Sequence, residues 1–275
     1  MFLILTYCSG YVYDIYKRFV GSLFDTTFIG KIVFFIQTKD IQKLDKLKEE
    51  FNDIKYPNTK IEYVVKDEIP FHIQTYRFFM YHKYLKENEQ TANTYIMMCD
   101  SRDVLFQKDL MEIEKYENKY ELYIFAENNI IKNNKHNNKW ISIIANNLKE
   151  DLTNVRNEQI ICSGLTIGTY NGMLKYLDVF ITQVERLKNN YKKIKGLDQG
   201  IHNYLIYTKK IEHIIIIKLT NEDNYVNTII GSNKYVNNDN KIININNEVS
   251  CIVHQYDRFP IKLKKRLSNK YNFMI

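Results

Sequence analysis

A chain of 275 residues, 45% apolar and 26% charged, has the balance of a folded globular protein, which excludes disordered and low-complexity classes. Its net charge of +7 suits an anionic partner: a polyanion, an anionic membrane surface or a diphosphate substrate. Cys8, Cys99, Cys162 and Cys251 stand far apart, which excludes a zinc knuckle and a dense disulfide framework and fits reduced thiols in a cytoplasmic protein.

The apolar Met1–Leu5 has no basic segment before it and polar residues directly after it, so it reads as a first buried strand rather than a leader. Short β-branched and aromatic runs then alternate with longer amphipathic ones. This predicts strands at Phe2–Thr6, Lys31–Ile36, Ile61–Val65 and Tyr95–Cys99, and helices at Val12–Leu23, Ile41–Asn52 and Phe71–Lys86. The alternation implies an α/β fold with a mostly parallel sheet. Right-handed crossovers align the carboxyl ends of such strands, which would gather Thr6, Tyr7, Asp100 and Asp103 in one crevice. The turn Tyr7-Cys8-Ser9-Gly10 can offer N–H groups to an anion or hydrogen bonds to a base. There is no Gly-x-Gly-x-x-Gly and no Walker loop, so a dinucleotide fingerprint and a P-loop are both excluded.

In the third helix, Arg77 interrupts an aromatic neighbourhood and needs an anion or a carboxylate beside it, either a diphosphate or the acidic motif at Asp100 and Asp103. The run Tyr95–Cys99 has no polar interruption and ends in Asp100-Ser101-Arg102-Asp103. Two carboxylates so close need a compensating cation, either a hard divalent metal or a guanidinium such as that of Arg102.

Leu122–Ala126 reads as another strand and Asn128–Lys139 as a polar loop. Trp140 opens an amphipathic run to Leu148 and either packs or lines an acceptor site. Ile160–Thr169 reads as a strand whose Ser163-Gly164 pair permits close backbone approach, with a helix from Tyr170 onward. Asp198, at the head of Leu197–Leu205, is either a helix N-cap or a chemical group. Ile252-Val253-His254 reads as a strand ending in a histidine that reaches the acids if it lies beside Tyr95–Cys99. The basic run of Lys262, Lys264, Lys265, Arg266 and Lys270 reads as a solvated terminal helix with weak membrane-surface contact as its other use. No stretch is long enough to span a bilayer, and no Asn-x-Ser/Thr acceptor occurs.

Asp100-Ser101-Arg102-Asp103-Val104-Leu105-Phe106, followed by Asp109-Leu110, resembles the strand-end signature of nucleotide-sugar-dependent glycosyltransferases of the GT-A fold, family 8-type enzymes among them. Their Asp-x-Asp motif precedes a short apolar run; here one residue is inserted between the acids. Cys162-Ser163-Gly164 resembles their Asn-Ser-Gly strand, and Asp198-Gln199 with Asn203 and Leu205 resembles their Asp-Gln helix start. The resemblance implies one GT-A domain over residues 1–275, with 1–110 the nucleotide-binding half and 111–275 the acceptor half and a metal- and diphosphate-binding end. It implies Mn2+ or Mg2+ held by Asp100, Asp103 and His254. It implies a nucleotide-sugar donor, UDP-linked by the family's habit, held by Thr6, Tyr7, Arg77, Asp100, Ser163, Gly164 and Arg258. The acceptor would be a hydroxyl, on a glycan, protein or small molecule, with Asp198 as the candidate base.

Two other classes share some of these features. A metal-dependent phosphodiesterase or nucleotidyltransferase could use Asp100 and Asp103, but such sites carry a larger carboxylate cluster. A nucleic-acid-binding protein would use the positive charge and the tyrosines, yet no basic-aromatic module motif is present, so specific nucleic-acid binding is not expected.

Overall fold

The computed structural model describes residues 1–52, 54–117, 119–229 and 235–259. The basic run from Lys262 to Lys270 lies outside them. In chain order the elements are β1 (Phe2–Tyr7), α1 (Tyr13–Phe24), β2 (Gly30–Ile36), α2 (Ile41–Glu50), β3 (Thr59–Val65), α3 (Ile73–Glu87), β4 (Tyr95–Cys99), β5 (Val104–Phe106), β6 (Leu122–Ile130), α4 (Lys135–Leu148), β7 (Gln159–Thr169), α5 (Tyr170–Arg186), α6 (Asn189–Lys192), α7 (Leu197–Tyr207), β8 (Ile216–Leu219), β9 (Val226–Thr228), β10 (Tyr235–Val236), β11 (Ile242–Ile243) and β12 (Ile252–His254). The fold is α/β, with a mostly parallel seven-stranded sheet in the order β3-β2-β1-β4-β7-β6-β8. By contact the chain groups into two compact units, one of Met1–Asp67, Met97–Asn118 and Leu219–Ile275, the other of Glu68–Ile96 and Lys119–Lys218.

In the first unit, β1, β2 and β3 pair in parallel, with Phe2 opposite Gly30 and Ile32 opposite Ile61. Unbroken apolar runs suit strands covered on both faces, and Phe2, Leu3, Ile4 and Leu5 are all buried. Helix α1 buries Tyr16, Phe19, Val20 and Leu23, the spacing of one helical face. Phe19 meets Phe34 and Phe106 edge-on, at centroid distances of 5.9 and 5.2 Å, so the helix packs on β2 and on β5.

A three-stranded sheet, β5-β12-β9, completes this unit. Strand β12 runs antiparallel to β5, with His254 opposite Val104, and parallel to β9. This corrects the expectation that His254 reaches the acids from beside β4. The apolar Val104-Leu105-Phe106 after the acidic turn is itself a strand and takes β12 as its partner. Leu105, Ile229, Ile242, Val253, Tyr256 and Phe259 form one buried cluster beneath it. The side chain of Gln107 donates to the carbonyls of Ile242 and Ser250 and accepts from the amide of Ile242, fastening this segment to the end of β5.

In the second unit, β6 and β7 are antiparallel. The expected loop at Asn128–Lys139 is corrected: β6 continues to Ile130, a single 3-10 turn follows, and α4 begins at Lys135. The polar run disguised a helix start, because Asn134 is its cap, accepting from the amides of His136 and Asn137 at 3.1 Å. Asn137, Ile141 and Ile144 then face inward. Trp140 packs: its indole donates to the Lys195 carbonyl at 3.0 Å, and its ring lies against Gly196. A Cβ on Gly196 would stand 2.1 Å from that ring, and the residue's φ of +80° is one only glycine adopts readily.

Candidate functional site

The carboxyl end of β1 and the acidic turn after β4 are joined directly. The Thr6 hydroxyl donates to the Cys99 carbonyl at 2.8 Å, and the Ser101 hydroxyl to the Tyr7 carbonyl at 3.2 Å. Thr6 is fully buried, so its hydroxyl holds the two strand ends together. Tyr7 is half-buried, and desolvation raises its phenol above the ordinary value.

The turn after β1 is fixed by a residue that sequence reading passed over. Asp40, buried just before α2, accepts from the Ser9 hydroxyl at 2.6 Å, the Gly10 amide at 2.9 Å and the Lys43 ammonium at 2.7 Å. Lys43 also donates to the Tyr11 carbonyl, and Tyr16 to that of Cys8. A charge pair three residues apart at a helix start was the one signal available. Tyr11, also unassigned from sequence, is half-buried and lies within the field of Arg102, Asp100 and Asp103.

Asp100, Asp103 and His254 converge. Each offers one ligand atom, and these atoms lie within 4.8 Å of one another. His254 Nε2 stands 3.6 Å from Asp100 Oδ2 and 3.9 Å from Asp103 Oδ1, too long for hydrogen bonds and suited to ligands around a shared cation. Asp103 and His254 are buried, while Asp100 is partly open. Burial holds the Asp103 carboxyl above the usual carboxylate range; His254 opposes this, Asp100 adds to it and Arg102 opposes it. A divalent cation would offset that penalty. Two carboxylates and an imidazole are a donor set that fits Mn2+, and Mg2+ less well.

Arg102 supplies the guanidinium expected beside the acids, bridging Asp103 at 3.2 Å and Asp257 at 3.1 Å. Its carbonyl accepts from Arg18 at 3.1 Å and from Tyr256 at 2.8 Å, and Arg18 lies over the Tyr256 ring. Arg18 gave no signal in the sequence, since one basic residue on an amphipathic helix is ordinary. Arg258 ends the short 3-10 turn after β12 and is exposed.

The second unit holds the other candidates. Arg77 and Asp198 form a buried ion pair at 3.3 Å. Arg77 also donates to the Ser163 carbonyl at 3.4 Å, and the Ser163 hydroxyl to Asp198 at 3.0 Å. Gln199 accepts from the Ser163 amide and hydroxyl, at 2.7 and 2.9 Å, and donates to the Ile161 carbonyl at 2.6 Å. Asn203 takes both the amide and the carbonyl of Ile161 at 2.8 Å. Gly164, buried, donates its amide to the Cys162 thiol. The Asp-Gln-x-x-x-Asn pattern is thus a set of side chains that hold β7 against α7. Asp198 is not the N-cap: Gly196 is, and Asp198 is the second helical residue, its carboxylate turned to Arg77 and Ser163.

No protein-family model and no curated protein sequence matches the chain. Among solved structures it is similar to mouse xyloside xylosyltransferase 1 in its apo form, at 12% identity and a TM-score of 0.57, over 94% of this chain and 99% of that one. The likeness shows that the chain has the fold of that glycosyltransferase, consistent with a GT-A, Rossmann-like domain. No helix among the described residues is long and apolar enough to cross a membrane.

Proposed function

We propose that this protein is a metal-dependent glycosyltransferase that moves a sugar from a nucleoside diphosphate, UDP in the first instance, to a hydroxyl acceptor. The observation that carries the reading is the convergence of Asp100, Asp103 and His254 on a fold like that of a xylosyltransferase. Asp100, Asp103 and His254 would hold the cation. When bound, Mn2+ or Mg2+ supplies positive charge to the diphosphate that leaves as the glycosidic bond breaks.

The chain's own residues supply the remainder. The turn from Tyr7 to Tyr11, fixed by Asp40 and Ser101, would bind the base and ribose. Arg258, exposed beside β12, has a charge available to the diphosphate. Arg77 would serve the sugar or its phosphate, oriented by Asp198 as Ser163 is. Asp198 is engaged by a guanidinium and a hydroxyl in a buried place, which favours an orienting role over proton abstraction.

The test is mass spectrometry of products after a panel of UDP- and GDP-sugars is offered with Mn2+, alongside calorimetry of UDP binding with and without chelator. The expected result is cation-dependent UDP binding and sugar loss from one UDP-sugar. UDP binding equally well in chelator, with every donor intact, would defeat the reading.

A further inference from the structure

Between α5 and α7 the chain places Lys188, Lys192, Lys193 and Lys195 within eight residues, with no acid from Arg186 to Leu197. Such a run is ordinarily a solvated surface. Here the backbone is pinned at three points. The Lys192 carbonyl accepts from the His72 amide at 3.2 Å, the Lys195 carbonyl from the Trp140 indole at 3.0 Å, and the Gly196 amide donates to the Gln74 side chain at 2.8 Å. Lys188, Lys193 and Lys195 are exposed and Lys192 is half-buried. None of the four ammonium groups has a carboxylate partner among the described residues. The result is a run of cations on a fixed frame, with no ion pair to them among the described residues.

Directly beside it stands a group of partly exposed rings. Phe71 precedes His72, the residue that holds Lys192, and meets Tyr76 and Phe79 edge-on at 5.1 and 5.3 Å. Trp140, under Gly196, is also partly exposed. Rings offer contact to the C–H faces of sugars, and unpaired ammonium groups to carboxylates or phosphates.

We infer that this edge of the second unit receives an anionic glycan, its acidic groups meeting Lys192, Lys193 and Lys195 and its sugar faces meeting the aromatic group. The inference rests on the glycosyltransferase reading for its purpose: Lys195 lies three residues before Asp198, and Phe71 six before Arg77. A glycan held there would be presented to the Arg77–Asp198–Ser163 cluster as an acceptor. Nucleic acid is a poorer fit, because one short cationic edge neutralises few phosphates and a strand-binding protein needs a longer track.

Trp140 is the only tryptophan of the chain, so its fluorescence reports on this edge. The full chain is titrated with hexagalacturonate, with neutral maltohexaose and with a thymidine dodecamer, at low and at physiological salt. Hexagalacturonate is expected to change Trp140 emission and to bind more weakly as salt rises. The exposed-site variant Lys193→Glu/Lys195→Glu should lose about tenfold in affinity, with its melting temperature unchanged. Maltohexaose binding as tightly as hexagalacturonate, no binding of either, or an unaffected double variant would overturn the inference. A dodecamer that binds as tightly as hexagalacturonate would overturn it in favour of a nucleic-acid surface. UDP titration of the same samples tests the donor reading separately: UDP binding lost in the wild type with glycan binding intact counts against that reading alone.

Discussion

The hydroxyl of Ser9 donates to the buried carboxylate of Asp40 at 2.6 Å, which ties the turn after the first strand to the start of the second helix. Burial works against the ionised carboxyl, but Lys43, Ser9 and the Gly10 amide outweigh it and hold Asp40 below its ordinary value. A group depressed in the folded state stabilises fully above its unfolded value of about 3.9, and that contribution is lost as pH falls through the folded value. Asp40→Asn should therefore cost about 2 kcal/mol at neutral pH and flatten the acid limb of the stability profile below about pH 4. Urea denaturation across pH 2 to 7 checks it; a parallel acid limb in the variant would speak against this role.

Arg77 and Asp198 are buried partners, so removing one takes a buried counter-charge away from the other. Asp198→Ala should cost about 3–5 kcal/mol, and Arg77→Met/Asp198→Leu should recover most of that loss while remaining inactive. Denaturation of Arg77→Met, Asp198→Leu and the double variant gives the coupling. A double variant no more stable than Asp198→Ala would mean that Asp198 is held by Ser163 and its other neighbours, not by Arg77.

Asp103 is held above the ordinary carboxylate value chiefly by burial, so the sign is the reverse of that for Asp40. In chelator, stability should fall as pH rises from about 4 through the range in which Asp103 ionises, and an added cation should restore it. With Mn2+ present, UDP at a hundredfold excess over its Kd should add about 2.7 kcal/mol, and Asp103→Asn or His254→Ala should remove most of that gain. Thermal shift with and without chelator reads both effects. An equal gain from UDP in chelator would exclude a cation bridge.

Gly196 combines a φ of +80° with a neighbouring indole ring that occupies the space of a side chain. Gly196→Ala should cost at least about 1–2 kcal/mol for the left-handed backbone alone, with more for displacing Trp140. Lower melting temperature together with altered Trp140 emission is the expected pair of readings. Wild-type stability would mean that the helix start accommodates the methyl group by shifting.

Much of this architecture was legible because local pattern and burial coincide. Leu3, Ile4 and Leu5 or Ile96, Met97 and Met98 are runs with no polar interruption, which suits a covered strand, and β4 ends at the predicted residue, Cys99. The boundary between β7 and α5 at Thr169 and Tyr170 was equally plain, as was the strand that ends at His254. The tract before Trp140 was not, because one asparagine acting as a cap looks like any other in a polar run.

The sequence by itself determined which residues could bind a cation or an anion, since charge, ligand chemistry and position at a strand end are local properties. Only the tertiary structure decided their partners. It chose β5 over β4 as the neighbour of β12, paired Arg77 with Asp198, and set Asp40 under the turn at Ser9 and Gly10. Each of these joins segments from about 30 to 150 residues apart, where no helical or strand period operates. Such pairings follow from which buried polar groups find partners once the core has closed, and that depends on the whole chain at once.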